Sequence, residues 1–171
     1  MRLYLLRHAE TAPGKKVHLR ELTPKGIKSI RKLAGFLNKK ELKEISEIRH
    51  SSHVSVRETA QAFQETAKLK APIREVPLLE PCADFRILAD FLDDEDETLL
   101  LVGHKPNLGM LASYLLTRGS RVDLFKIKKS GLLCLEKTKG EETHTGWTSQ
   151  WRIVWQLAPS HLKKAKVRPE C

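Results

Sequence analysis

The stretch Leu3-Tyr4-Leu5-Leu6-Arg7-His8-Ala9-Glu10 decides the fold, because a short apolar run ends there in an arginine and a histidine. An uninterrupted apolar run of this length is typical of a strand buried on both faces of a parallel sheet, and we predict a strand over residues 2–7. In an open α/β sheet, ligands bind beyond the carboxyl ends of the strands. Arg7 and His8 are therefore candidate site residues, and a cation beside an imidazole favours a phosphate as the ligand.

A second apolar run ends in the same way. Leu99-Leu100-Leu101-Val102-Gly103-His104 predicts a strand over residues 98–102, followed by a helix over residues 108–116. Parallel strands present their carboxyl ends at one edge of a sheet. We therefore expect His104 to lie alongside His8.

The other elements follow from apolar periodicity and from caps. Thr23 is a candidate N-cap with Pro24 at the first helical position, and the apolar spacing after it predicts a helix ending near Asn38. We further predict strands near residues 47–51, 73–76, 132–135 and 151–157, helices around Phe63 and after Asp84, a solvated turn at 93–97 and a polar turn at 140–146. This alternation indicates a three-layer α/β fold, with a largely parallel central sheet and helices on both faces.

Length and composition restrict the class of protein. A chain of 171 residues is long enough for one core, and we predict a single domain over residues 1–171. No apolar run approaches the roughly eighteen residues of a membrane span, and no signal segment precedes the first strand, so we expect a cytoplasmic protein without membrane contacts. Cys82, Cys134 and Cys171 are odd in number and lack CxxC spacing. They are expected to be free thiols in a reducing compartment.

The chain is strongly basic, with 31 Lys and Arg against 21 Asp and Glu and a formal net charge of +10. Such a balance favours anionic partners. The basic residues are scattered, however, and only 6% of the residues are aromatic, so no base-stacking motif interleaves with them. Nucleic acid is thus not expected, whereas a phosphorylated protein suits a basic surface.

The two histidine motifs together resemble those of the histidine phosphatase superfamily, the phosphoglycerate mutase-like enzymes. Three further segments are similar to the small SixA-type phosphohistidine phosphatases, and they extend the resemblance over nearly the whole chain: Arg20-Glu21-Leu22-Thr23-Pro24-Lys25-Gly26, Leu79-Glu80-Pro81-Cys82-Ala83-Asp84, and Trp155-Gln156-Leu157-Ala158-Pro159. The resemblance implies the phosphoglycerate mutase-like fold and a phosphatase that forms a covalent phosphohistidine intermediate. It implies no cofactor.

Within this resemblance, three residues are expected to be catalytic. His8 is the nucleophile, since a neutral imidazole can accept a phosphoryl group and release it to water. To attack with one ring nitrogen, it must hold a proton on the other, which we expect to face a backbone carbonyl in the following loop. Arg7 is expected to bind the non-bridging oxygens through its forked donors, and His104 to donate to the same oxygens.

The chain departs from the family at a second arginine, which normally lies in a Ser-Pro-x-x-Arg-x-x-x-Thr-Ala pattern. An ungapped alignment on Thr59-Ala60 places Ser51 at the first serine, a candidate substrate-binding residue, and Ser55 where the arginine belongs. Arg57 follows two residues later, which on a helix rotates a side chain by roughly 200°. Arg57 either reaches the phosphate through a reshaped loop or lies on the surface, paired with Glu58 or Glu65. Arg20 is the candidate that compensates for the missing cation.

Two other features bear on the chemistry. His50 and His53 flank the second strand's end, but two imidazoles without a third ligand make a poor zinc site, so we predict no metal and expect both to line the pocket mouth. Glu80 is a candidate general acid that lies in no clear register with the acid of phosphoglycerate mutases. An imidazole leaving group needs a proton less than an alkoxide does, which favours a phosphoramidate substrate.

The predicted function is removal of phosphate from phosphohistidine on a protein. Two alternatives remain at this point: a small-molecule phosphomonoesterase for sugar or nucleotide phosphates, with Glu80 as acid, and a phosphate-binding module with weak turnover. The chain has no room for the bulky insertions of larger relatives, which favours a monomer.

Overall fold

The computed structural model describes residues 1–119, 124–138 and 151–162. Within these ranges six strands form one sheet in the order β3-β2-β4-β1-β5-β6. The strands are β1 (Arg2–Arg7), β2 (Glu47–His50), β3 (Ile73–Glu75), β4 (Leu99–Gly103), β5 (Leu132–Lys137) and β6 (Trp151–Leu157). The α-helices are α1 (Pro24–Phe36), α2 (Lys39–Leu42), α3 (Val54–Ala67), α4 (Phe85–Asp93) and α5 (Asn107–Thr117), and short 3-10 helices span Val17–Leu19, Pro77–Leu79 and Pro159–His161.

The sheet is mixed, with its parallel part at the centre. Strand β1 pairs in parallel with β4, and β2 pairs in parallel with both β3 and β4. Strands β5 and β6 are antiparallel and extend the sheet beyond β1. The predicted α/β fold with a largely parallel sheet is confirmed, and the two late strands account for its antiparallel edge.

The core lies on both faces of the sheet, which gives the predicted three layers. Side chains alternate between faces along a strand. In β1, Tyr4 and Leu6 therefore pack with α1 and α3, whereas Leu3 and Leu5 pack with α4 and α5. All four side chains are fully buried. Burial on both faces is the physical reason why this strand consists of an unbroken apolar run.

Helix caps begin two helices where the sequence predicts them. The Thr23 hydroxyl accepts a hydrogen bond from the Gly26 amide at 3.0 Å, and Asp84 accepts one from the Arg86 amide at 3.0 Å. The first helix ends at Phe36, and the short helix α2 follows it. That helix was not predicted, because its start depends on the Asn38 side chain, which accepts a hydrogen bond from the Lys40 amide at 3.0 Å.

The acidic run 93–97 is solvated in part, since Asp94, Asp96 and Glu97 are exposed as predicted, whereas Asp93 and Glu95 are not. Asp93 closes α4 and is hydrogen bonded to Arg118, and Glu95 pairs with Arg49 at 3.1 Å. Both carboxylates are half-buried because basic side chains from neighbouring elements meet them there. The predicted polar turn at 140–146 lies outside the described residues.

Two smaller predictions concern thiols and membranes. Cys82 is exposed and Cys134 is buried, and both are free, as predicted, while Cys171 lies outside the described residues. In the part of the chain that the structure describes, no helix is both long and apolar enough to span a bilayer.

Candidate active site

Strand register brings the two histidine motifs together. Arg7 at the end of β1 is paired in register with Gly103 at the end of β4. The backbone amide of His8 then donates to the Gly103 carbonyl at 3.0 Å, which ties the two strand ends. The rings of His8 and His104 lie with their centroids 5.2 Å apart. The juxtaposition expected from the two apolar runs is therefore present.

The His8 ring is held in one tautomer. Its Nδ1 lies 2.8 Å from the Ala9 carbonyl oxygen. A carbonyl can only accept a hydrogen bond, so Nδ1 carries the proton and Nε2 carries the lone pair. Burial lowers the pKa of His8 to about 4, with a smaller lowering from the charges of Arg7 and Lys129, while the Ala9 bond opposes the shift. At neutral pH the ring is an uncharged base with a free nitrogen.

His104 is buried and engages Ser51. Its Nε2 lies 2.8 Å from the Ser51 hydroxyl, which is itself fully buried. Burial lowers the pKa of His104 to about 4, and the nearby rings of His8 and His53 lower it further. A hydroxyl can donate or accept, so Ser51 suits either neutral tautomer. The structure thus places Ser51 behind His104, where it orients the imidazole.

The Arg7 guanidinium has hydrogen-bond donors that are not used within the described residues. One guanidinium nitrogen, Nη1, donates to the Ile127 carbonyl at 3.0 Å, while Nε is buried and has no hydrogen-bond partner within the described residues. Burial lowers the pKa of Arg7, yet an arginine stays charged in proteins. A buried donor without a partner is costly. A bound oxyanion would satisfy it.

A second group of side chains adjoins His104. The His53 ring packs edge-on against His104 with centroids 4.3 Å apart, and its Nε2 lies 3.5 Å from Glu80 Oε2. The other Glu80 oxygen accepts from the Ser52 amide at 2.6 Å. Burial acts to raise the pKa of Glu80, but the Ser52 bond and the neighbouring imidazoles outweigh it, so the pKa is lowered. Glu80 is thus an ionised carboxylate at neutral pH.

Within the described residues, neither of the two predicted arginines is hydrogen bonded to Arg7, His8 or His104. Arg57 is exposed on α3, and within the described residues it makes no hydrogen bond or ion pair, including the predicted pairs with Glu58 and Glu65. Arg20 instead donates from Nε to the Lys15 carbonyl at 3.1 Å, which closes its own loop. Ser55, at the position of the family arginine, is buried. Helix α3 begins at Val54 and buries Ser55, and Arg57 follows on its exposed side.

Of the two further histidines, His50 lies differently from the expectation, whereas His53 adjoins the site. His50 is 4% exposed and donates from Nδ1 to the Ser51 carbonyl at 2.7 Å, so it is a buried support for that segment and not part of the pocket mouth. His53 is half-buried, and His18 lies beyond it with ring centroids 6.4 Å apart. Among the described residues no cluster could hold a metal ion.

Sequence reasoning missed the turn that precedes β5. Strand β5 runs antiparallel to β1 with Leu6 opposite Leu132, so residues just before Leu132 lie beside Arg7 and His8. The amide of Ser130 donates to the His8 carbonyl at 3.2 Å. Lys129, counted in the sequence as one of many surface lysines, therefore adjoins the site. Only the antiparallel direction of β5 could have indicated this.

Comparisons with known proteins address the fold. No family model matches the sequence. No curated protein matches it significantly either. Among solved structures, the protein histidine phosphatase SixA in complex with tungstate matches with a TM-score of 0.77 at 23% identity, covering 95% of this chain and 100% of that one.

Two other solved structures illustrate the range of matches. A SixA protein from Agrobacterium tumefaciens, described as a phosphohistidine phosphatase, has a TM-score of 0.68 at 23% identity over 92% of this chain and 97% of that one. A mycobacterial glucosyl-3-phosphoglycerate phosphatase with inorganic phosphate has a TM-score of 0.64 at 16% identity, over 92% and 98%. The fold expected from the two histidine motifs is confirmed: this chain has the phosphoglycerate mutase-like architecture of the histidine phosphatases, SixA proteins among them.

Proposed function

We propose that this protein is a phosphatase that removes phosphate from phosphohistidine on another protein, through a covalent intermediate on His8. One observation carries the proposal: the Nδ1 proton of His8 is held by the Ala9 carbonyl at 2.8 Å, which leaves Nε2 free as a nucleophile. The His104 ring lies with its centroid 5.2 Å from that of His8, and Arg7, which precedes His8 in the chain, has a buried Nε without a partner among the described residues, so both residues can supply donors for an oxyanion. Of the neighbours, a SixA protein was solved with tungstate, an oxyanion.

In the first step, Nε2 of His8 attacks the phosphorus atom of the substrate. A new P–N bond forms to His8, and the P–N bond to the substrate imidazole breaks with its electron pair on the departing nitrogen. The other ring nitrogen of the substrate is protonated in the reacting form, so the substrate histidine leaves as a neutral imidazole. The Nδ1 proton stays in place, so the phosphorylated His8 is cationic and its hydrogen bond to the Ala9 carbonyl strengthens. Arg7 binds the non-bridging oxygens, and His104 donates with the nitrogen that Ser51 leaves free.

In the second step, a water molecule attacks the phosphorus atom, and one of its protons passes to a phosphoryl oxygen, so that it leaves with the inorganic phosphate. The P–N bond to His8 breaks, its electron pair returns to Nε2, and His8 is again neutral with its proton on Nδ1. The low pKa of His8, about 4, makes this imidazole a good leaving group at neutral pH. Inorganic phosphate is released.

The state of Glu80 supports the phosphoramidate over the ester. Its carboxylate is ionised at neutral pH because the Ser52 amide and the nearby imidazoles stabilise the charge. An ionised carboxylate has no proton to give an alkoxide, whereas a departing imidazole is a weaker base and needs the proton less. The second candidate, a small-molecule phosphomonoesterase, has support in the same place, since Glu80 lies only 3.5 Å from His53 beside the cluster.

The surface near the cluster supports a protein as the substrate. Val17 and Leu19 are 61% and 47% exposed. Between them lies His18, whose ring centroid is 6.4 Å from that of His53. Exposed apolar side chains beside a site are a common feature of interaction surfaces. We propose a histidine-phosphorylated protein as partner, bound by a monomeric, cytoplasmic enzyme that has no contact with nucleic acid or membrane.

The test is release of phosphate from a histidine-phosphorylated carrier protein, with p-nitrophenyl phosphate measured in parallel. Wild type is expected to release phosphate from the carrier, and His8→Ala to abolish release. Trapping of acid-labile phosphate on the wild type but not on His8→Ala would identify the covalent intermediate. Turnover of p-nitrophenyl phosphate without release from the carrier would favour the phosphomonoesterase. Binding of phosphate without any turnover would favour the binding module.

A further inference from the structure

The site as described leaves a bound phosphate short of positive charge. A phosphoryl group carries close to two negative charges at neutral pH. His8 and His104 are both neutral there, since burial lowers the pKa of each to about 4. Within the Arg7, His8 and His104 cluster, only Arg7 is cationic, and Ser55 occupies the position of the family's second arginine. A further cation must come from another part of the fold.

The turn that leads into β5 is fixed against the strand end. The Arg7 amide donates to the Gly131 carbonyl at 3.0 Å, and the Ser130 amide donates to the His8 carbonyl at 3.2 Å. The Arg7 guanidinium adds a bond to the Ile127 carbonyl at 3.0 Å. Every residue of the turn thus lies within two positions of a direct bond to Arg7 or His8. Lys129 lies in the middle of this turn.

The backbone of the turn determines where the Lys129 side chain begins. Ser130 adopts a left-handed conformation with φ of 57° and is buried. At Gly131 an added Cβ would lie 2.7 Å from the Lys128 carbonyl oxygen, so only glycine fits there. The Gly131 amide also donates to that carbonyl at 2.8 Å. These constraints fix the backbone of the turn that carries Lys128 and Lys129.

The two lysines differ in what their ammonium groups do. Lys128 donates to the Ser160 hydroxyl at 3.3 Å, toward the short helix Pro159–His161. Lys129 is exposed and makes no hydrogen bond or ion pair in the part of the chain that is described. Its charge acts on His8 and on Glu10, lowering the pKa of both groups. The backbone bonds of the turn hold Lys129 beside the loop that carries the nucleophile, and its charge acts on residues on both sides of Ala9.

We propose that the ammonium group of Lys129 is the second cation that binds the phosphoryl oxygens, in place of an arginine at position 55. The inference rests on the proposed function, because it assigns a residue to the phosphate subsite of that reaction. It also accounts for Arg57 and Arg20, which have no part in this subsite. A lysine binds as a point charge without the fork of an arginine, which suits a flexible group at the pocket rim.

The experiment measures binding of inorganic phosphate by calorimetry at low ionic strength, together with kcat/KM for p-nitrophenyl phosphate. Lys129→Ala is expected to weaken phosphate binding by about 10-fold or more, the scale of one charge-assisted hydrogen bond. Lys129→Arg is expected to restore most of it. Lys128→Ala is the matched control, with the same charge change one residue away, and is expected to stay within about twofold of wild type, below the effect of any charged contact.

Two results would overturn the assignment. One is phosphate affinity in Lys129→Ala equal to that of wild type, and the other is an equal loss in Lys128→Ala, which would indicate only a general effect of net charge. The proposed function can fail separately. If wild type binds phosphate in a way that depends on Lys129 but releases no phosphate from the carrier or from the ester, the assignment of Lys129 stands and the proposed reaction is wrong. Wild type that binds no phosphate overturns both.

Discussion

His53 lies edge-on against His104, with ring centroids 4.3 Å apart, and the Nε2 atom of His53 lies 3.5 Å from Oε2 of Glu80. Glu80, His53 and His104 are therefore successive neighbours, and His104 lies next to His8 at the candidate phosphate subsite. A carboxylate at the end of such a chain stabilises positive charge on the imidazoles, and its charge acts against the lowering of the pKa of His104. In this arrangement the carboxylate acts through its charge, and that role differs from the donation of a proton.

Replacement of Glu80 by glutamine distinguishes these two roles. Because the Glu80 carboxylate is ionised at neutral pH, we expect Glu80→Gln to change hydrolysis of phosphohistidine by less than about threefold, far below the loss of a general acid. Esters with poor leaving groups, such as alkyl phosphates, give the sharper comparison with p-nitrophenyl phosphate. A large loss confined to alkyl phosphates would mean that Glu80 donates a proton and would favour the phosphomonoesterase.

The pH dependence of activity follows from the state of His8. The nucleophile must be neutral, and burial lowers its pKa from 6.5 to about 4. We expect kcat/KM, corrected for ionisation of the substrate, to stay level as the pH falls through 6.5 and to decline only near pH 4. The measurement is a kcat/KM profile with p-nitrophenyl phosphate. A decline centred near 6.5 would mean that the His8 ring is not held as described.

The same groups make folding stability depend on pH. A histidine whose pKa is lowered on folding binds fewer protons in the folded state, so stability is complete above the unfolded pKa of 6.5 and is lost as the pH falls toward about 4. The wild type is expected to lose more stability than His104→Asn between these pH values. Urea titrations at several pH values measure the difference. Parallel pH curves for the two proteins would contradict the expectation.

The predicted and the missed parts of this site differ in how locally they are encoded. Arg7, His8 and His104 each follow an apolar run directly, so a strand prediction alone places them at one edge of the sheet. The sequence does not single out Lys129, because its position depends on the antiparallel direction of β5. Glu80 is a candidate from the sequence, but its place beside His53 depends on a bond from the Ser52 amide. No periodicity encodes those contacts. Arg57 stays a prediction, and of the two positions that the sequence left open for it, its exposure on helix α3 favours the surface.

Substitutions of Arg7 and Arg57 distinguish an arginine that binds phosphate through two donors from one that lies on the surface. Arg7 has a buried Nε without a partner among the described residues, so a bound oxyanion completes its hydrogen bonding. We expect Arg7→Lys to lower kcat/KM for p-nitrophenyl phosphate by about 100-fold, since lysine cannot present two parallel donors. Arg57→Ala is expected to match wild type within about twofold, as surface substitutions do. An equal loss of kcat/KM in Arg57→Ala would mean that Arg57 takes part in binding the phosphate.

Two glycines on helix α1 provide a matched test of the packing under the nucleophile loop. A Cβ on Gly26 would lie 2.5 Å from the Glu10 carbonyl oxygen, whereas a Cβ on Gly35 would meet no atom within 4 Å. We expect Gly26→Ala to destabilise the fold by about 1–3 kcal/mol, the usual cost of overpacking. Gly35→Ala should stabilise it by up to about 1 kcal/mol through helix propensity. Urea denaturation measures both, and a neutral Gly26→Ala would mean that Glu10 does not approach the helix.

Substitution of the exposed residues Val17 and Leu19 distinguishes a protein substrate from a small-molecule substrate. Val17 and Leu19 are exposed and flank His18, so a docked protein would cover them, whereas p-nitrophenyl phosphate is too small to do so. The double variant Val17→Ser, Leu19→Ser is expected to raise KM for the phosphorylated carrier by about 10-fold, the scale of two buried aliphatic contacts, and to leave KM for p-nitrophenyl phosphate unchanged. Phe91→Ser is the control, since Phe91 is 64% exposed on α4, which packs on the opposite face of the sheet from α1 and α3. Equal KM values for the carrier in all three proteins would show that this surface takes no part in binding the substrate.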